Sequence, residues 1–134
     1  MPGATYVTAE LTGKPNAVYA DYELMVCHRQ KSDWGPNAVS KIAVYSQQAY
    51  INDGDSIDLA DGVPDGSEIA ALIFHTYDTF ELYGTSYDLR LCLGITKDEL
   101  DFKVANGPAA LIQRLKQHNT YPYTDFDRAS IPLQ

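Results

Sequence analysis

The sequence is poor in the residues from which covalent and metal cross-links are made. Cys27 and Cys92 are its only cysteines, and each lies inside an apolar run instead of a loop. That placement reads more naturally as two buried thiols of a cytosolic protein than as a bridge, although two cysteines still permit a disulfide. No CxxC and no His/Cys cluster occurs, so a structural zinc site is not expected. Positive charge is also scarce. Ten Lys and Arg face 18 Asp and Glu, a net charge of -8, and such a field repels phosphate backbones and anionic lipid. Nucleic acid and membrane are therefore not expected partners. The longest apolar run, Ile69 to Phe74, falls far short of the ~20 residues of a membrane helix. The start, MPGATYVTAEL, lacks a basic segment followed by an apolar one, so the chain reads as unexported and cytoplasmic. Glycine-rich phosphate loops, internal repeats and low-complexity tracts are missing as well.

What is present is ordinary globular material. Apolar residues make up 45% and charged residues 21% of 134 positions, enough to bury one core and too apolar for disorder. One domain over residues 1–134 is expected. Its first part holds two runs with strand character, ATYVTAEL and ADYELMVCHR, separated by the turn formers of TGKPNA. In the second run Tyr22, Leu24 and Val26 fall on one face, and Glu23, Met25 and Cys27 on the other. From Asp33 the spacing becomes helical: Val39, Ile42, Ala43, Ser46, Ala49 and Tyr50 form a stripe. Asp33 or Gly35 can cap this helix, Pro36 suits its first turn, and residues 52–54 end it.

Further on, EIAALIFHTY is too uniformly apolar for a half-exposed strand and predicts one covered on both faces. TFELYGTSYDLRLCLGI then predicts a hairpin turning at Gly84, with Tyr87, Leu89, Leu91, Leu93 and Ile95 on one side of its second arm. TKDE at 96–99 is a capping box that starts a helix. A second helix opens at Pro108 with a stripe of Leu111, Ile112 and Leu115. The tail, NTYPYTDFDRASIPLQ, has no period and is expected to lie extended against the body. The sum is an α+β fold: a mixed, largely antiparallel β-sheet covered by α-helices in a single layered domain.

Three groups could carry chemistry or recognition. INDGDSIDLADGVPDGSE holds six of the 18 acids. A calcium loop counted from Asp53 fails, because Ile57 falls at the fifth position and Asp58 at the sixth, where glycine is needed. Counted from Asp61 it fails at Val63 and Leu72. Its three Asp-Gly pairs are turn formers, and the stretch reads first as solvated turns and second as an acidic docking surface that steers a basic partner. His75, Asp78 and Glu81 do not converge on either a strand or a helix, so no catalytic trio is expected there. The aromatic and acidic hairpin from Tyr77 to Asp88 is the other recognition candidate, since tyrosine offers large contact area at low entropy cost. Asp58, Asp61, Asp65, Tyr77, Asp78, Glu81 and Tyr83 are the expected partner-binding residues. No catalytic, metal or cofactor-binding residue is assigned. Trp34 is read as a packing anchor.

An ordered set of segments resembles one family. YELMVCHRQKSDWGPNAVSKIAVYSQQAYINDGDSI is similar to the part of Suppressor-of-fused domains in which a strand leads through a tryptophan and proline to a helix and a glycine turn. FELYGTSYDLRLCLGITKDELDF, NGPAALIQRLKQHN and TDFDRASI resemble that family's hairpin and helix start, last helix and closing D--R-S signature. Ile42-Ala43-Val44-Tyr45 departs from the family's usual Leu-Ala-Arg-Tyr, and family domains usually carry more residues upstream. The resemblance implies protein binding without catalysis, and in a bacterial setting an immunity protein that neutralises a toxin; the acidic charge, separately, suits a basic toxin domain as the partner. The alternatives are a metal-dependent hydrolase using His75 and nearby acids, or a subdomain of a larger assembly.

Overall fold

The computed structural model describes residues 4–7, 22–29, 34, 38, 41–42, 50–59, 63, 65–82 and 84–133. Among these residues five strands form one sheet: β1 (Ala4–Val7), β2 (Tyr22–His28), β3 (Ser56–Asp58), β4 (Ile69–Leu82) and β5 (Thr85–Thr96), in the order β1-β2-β5-β4-β3. Three of the four pairings are antiparallel, while β2 runs parallel to β5 with Met25 opposite Leu91. Helices α1 (Lys97–Asn106) and α2 (Pro108–Gln117) follow β5 directly. Trp34, Ala38, Lys41 and Ile42 are also helical, at positions where the 3.6-residue period places a helix.

The alternation along β2 and β5 divides the core in two. Tyr22, Leu24 and Val26 join Leu72, Phe74 and Cys92 on one face of the sheet, where Ile42 and Ile51 close over them. Met25 and Cys27 join Ala71, Ile73, Leu91, Leu93 and Ile95 on the other, beneath Leu111, Ile112 and Leu115 of α2. Each of those three helix residues is buried, a contribution of about 1.5–3 kcal/mol apiece by transfer. Trp34 packs at the edge of the first core, 4.7 Å from the ring of Phe126. Cys27 and Cys92 are free and buried.

The structure departs from the sequence reading in three places. EIAALIFHTY and the first arm of the hairpin are one continuous strand, β4, bent by a bulge between Thr76 and Asp78. A bulge resets the side-chain parity without ending a strand, which is why the pattern looked like two elements. The acidic stretch is not all turn: Ser56–Asp58 pair with Ala71–Ile73 as β3. Tyr50, placed on the helical stripe by its spacing, lies outside the helix with its ring 5.2 Å from that of Tyr22. The Asn52–Asp55 turn itself is as read, and the Gly54 amide donates to the Phe74 carbonyl at 2.7 Å. Gly54 has φ +92°, and a Cβ there would come within 2.9 Å of Pro108, so glycine is required twice over.

At the base of α1 the capping box forms as expected, with the Glu99 amide donating to Thr96 Oγ1 (3.3 Å) and the Thr96 amide donating to Glu99 Oε1 (3.0 Å). Glu99 is fully buried, however, and Arg128 donates to both of its oxygens, at 2.6 and 2.7 Å. The Ile131 amide adds a further bond to Oε2. Burial alone would push the Glu99 carboxyl up, but Arg128 and these amides hold it below the usual range. Ser130 donates to Thr96 Oγ1. The tail is thus pinned back across the body through one buried carboxylate.

Candidate functional site

The face of the sheet that α2 covers does not stop where α2 stops. Beyond Ile73 and Leu91 it continues along the hairpin through His75, Tyr77, Phe80, Tyr87 and Leu89. At the bulge Asp78 stands opposite Leu89, with Tyr77 as the inserted residue, and Phe80 stands opposite Tyr87. Phe80 and Tyr87 are stacked at 5.7 Å and 29°. Tyr77 stacks on Tyr121 of the tail at 6.2 Å and 27° and is 43% exposed. Phe80, Tyr87 and Leu89 are half-buried.

Charge is arranged around these rings. Lys116 Nζ lies 4.8 Å from the centre of Tyr121, and the Arg29 guanidinium 4.3 Å from that of Tyr123, both within cation–π range. Arg29 also donates to the Asn119 carbonyl. His75 sits edge-on to Tyr121 at 5.7 Å, with Nδ1 3.4 Å from Asp53 Oδ1. Burial lowers the His75 pKa and Lys116 lowers it further, against the opposing pull of Asp53. The imidazole is therefore neutral at neutral pH. Burial pushes the Tyr121 hydroxyl up to about 12, aided by Tyr77, Cys27 and Asp53, so that it stays protonated. These are properties of a contact surface: flat π faces, protonated hydroxyls and carboxylates at the margin.

The expected partner-binding residues separate into two places. Tyr77, Asp78 and Glu81 are exposed on the distal hairpin. Asp58 is exposed at the end of β3, opposite Ala71, and Asp65 is exposed in the turn before β4. At about 3.3 Å per strand residue, Ala71 and Asp78 lie roughly 23 Å apart along β4. Asp58 and Asp65 therefore do not share a patch with Tyr77, Asp78 and Glu81. Asp61 and Tyr83 lie outside the described residues. Asp78 accepts from the Thr79 amide at 2.8 Å, and His75 pairs with Asp53 instead of Asp78 or Glu81. Among the described residues no group of three or more His, Cys, Asp or Glu is placed to hold a metal ion.

Tyr121, Lys116 and Asp53 are members of the surface that spacing alone did not point to. They arrive from the tail, from α2 and from the turn before β3. Of these, only the aromatic richness of NTYPYTDF was a visible signal.

Known proteins supply the remaining context. No curated protein matches the chain by sequence. Solved structures match it in fold. The structure described as the Sufu-Fu complex superposes with a TM-score of 0.76 at 16% identity, covering 96% of this chain and 69% of that one. The Suppressor of fused homolog from Neisseria gonorrhoeae FA 1090 gives 0.74 at 16% identity, with 99% and 72% covered. Drosophila Suppressor of Fused gives 0.68 at 17% identity, with 81% of this chain and 31% of that one covered. The mixed sheet with helices described above is thus the α+β fold of these proteins. The model of the Suppressor of fused protein (SUFU) family matches residues 3–129, a span that takes in β1 to β5, α1, α2 and the Glu99–Arg128 clasp, and by that match the chain belongs to the Suppressor of fused family.

Proposed function

We propose that the chain is a non-enzymatic protein-binding domain that serves as an immunity protein, occluding the working surface of a bacterial toxin in the cytoplasm. The observation that carries this reading is the distal hairpin, where a sheet face that is core under α2 runs out into exposed Tyr77 and half-buried Phe80 and Tyr87. Aromatic side chains that are already stacked lose little entropy on binding, and such residues dominate interface energies. A relative of the same fold is known in complex with a protein, Fu, which supports protein binding as the shared mode. The net charge of -8 favours a basic partner domain. Asp58, Asp61 and Asp65 serve in steering it, while Tyr77, Asp78, Glu81 and Tyr83 make the contact.

The test is co-purification and neutralisation with the product of the adjacent gene. Binding that Tyr77→Ala weakens by an order of magnitude or more, about 1.4 kcal/mol, supports the hairpin as the contact. No association at micromolar concentration counts against the immunity role.

A further inference from the structure

β4 runs from Ile69 to Leu82, but β3 lies outside it only at Ala71, Leu72 and Ile73. The turn before β3 adds one more pair of bonds, with the Phe74 amide donating to the Asp55 carbonyl and the Gly54 amide to the Phe74 carbonyl. Past that point no strand flanks the outer edge of β4 among the described residues. In an antiparallel ladder alternate residues turn both N–H and C=O to the same side. Phe74 faces outward, so Thr76 does too. The bulge at Tyr77 shifts the count by one, so that Thr79 and Glu81 are the next outward residues.

Two of these three outward amides are already occupied by side chains. Thr76 N–H donates to Asp53 Oδ1 at 3.0 Å and Thr79 N–H to Asp78 Oδ1 at 2.8 Å. Each carboxylate oxygen stands where the carbonyl of an added strand would stand. Asp53 reaches its position from the turn before β3, and Asp78 folds back from the bulge itself.

We propose that the outer edge of β4 from Thr76 to Glu81 is a latent strand-pairing surface, kept closed by Asp53 and Asp78, and that the strand it takes up when they are withdrawn is β4 of a second copy. A second copy fits because an antiparallel edge is self-complementary about a two-fold axis. An axis through Thr79 sets Asp78, with Tyr77 bulged beside it, against the other copy's Phe80 and sets Thr76 against its Glu81, and it joins the two aromatic patches on one face. The same geometry brings Asp53, Asp78 and Glu81 of both copies together, on chains that each carry -8. The carboxylates therefore close the edge twice, by filling its donors and by repelling their own images. Natural sheets restrain exposed edges with inward-turned charge and bulges, and β4 has both. This inference does not depend on the identity of any partner.

Sedimentation of the full chain tests it. The wild type is expected to sediment as a monomer over a wide concentration range. Asp53→Ala/Asp78→Ala should approach twice the monomer mass as concentration rises, with slowed amide exchange at Thr79 and Glu81. Asp53→Asn/Asp78→Asn keeps an acceptor oxygen at each amide and should stay monomeric. Asp78→Ala alone, which changes a bond between adjacent residues, serves if the double variant does not fold, and it should show the same association more weakly. A folded double alanine variant that stays monomeric, association without protection at Thr79, or an asparagine variant that pairs as readily as the alanine one would each overturn the proposal.

Discussion

Replacing Arg128 with methionine tests the clasp that holds the tail to the body. The substitution keeps the aliphatic stem and deletes two donors bonded to Glu99 at 2.6 and 2.7 Å, together with a 3.1 Å bond to the Gly94 carbonyl. The Glu99 side chain is 0% exposed and that of Arg128 is 9% exposed, so neither charge is screened by solvent. Stranding one member of such a pair costs about 3–5 kcal/mol, a large share of the roughly 5–15 kcal/mol that keeps a domain folded. Urea unfolding at neutral pH should show that loss. The pH dependence carries a sharper signature. In the wild type the Glu99 carboxyl is held below its ordinary range, so its contribution is present above the unfolded pKa and fades as pH falls through the folded one. In Arg128→Met burial acts with its main opponent removed and raises that pKa. The penalty is then greatest at neutral pH and shrinks as the solution approaches the ordinary glutamate value of about 4.3. Arg128→Met/Glu99→Gln leaves no stranded charge and should recover much of the loss. A single variant that loses less than about 1 kcal/mol, or a double variant no more stable than the single, would refute the clasp as the tail's anchor.

Three further outcomes follow from the same packing. Gly94→Ala should destabilise by about 1–3 kcal/mol, measured by thermal or urea unfolding, because its Cβ would lie 2.8 Å from Thr124 Cγ2 and 3.1 Å from Ile69 Cγ2; an unchanged midpoint would mean that the tail yields freely there. His28 is buried with Nδ1 2.9 Å from the Thr124 carbonyl oxygen, and burial lowers its pKa against the pull of that carbonyl and Asp125. The unfolded chain therefore binds a proton that the folded one resists, and stability should fall as pH drops below about 6.5, with His28→Gln flattening that slope. Burial pushes the Cys92 thiol up to about 12 and raises that of Cys27, so a thiol reagent should label neither in the native protein and both in urea.

Much of the local structure could be read from residue spacing, because it rests on contacts only a few positions apart. Thr96 and Glu99 cap α1 through bonds spanning three residues. The reversal at Gly84 needs one left-handed residue, and its φ is +77°. The apolar alternation of β2 and β5 and the stripe of α2 each report which side of an element faces a core. For the candidate surface, the same reasoning reached Tyr77 and its acidic neighbours but could not say that Asp58 and Asp65 stand apart from them. That separation is set by where the short β3 pairs along a strand of 14 residues.

Residue order alone was enough for the types of β2, β5, α1 and α2, for the two faces of the core and for the family likeness, since each depends on periodicity or on ordered local motifs. It took the folded chain to show that β2 lies parallel beside β5, that Asp53 reaches Thr76 and His75, that Tyr121 stacks on Tyr77, and that Glu99 is clasped by Arg128 from 29 residues away. Those contacts join parts of the chain with no shared period. Their geometry is fixed by the packing of the whole sheet and the helices upon it, which no local window contains.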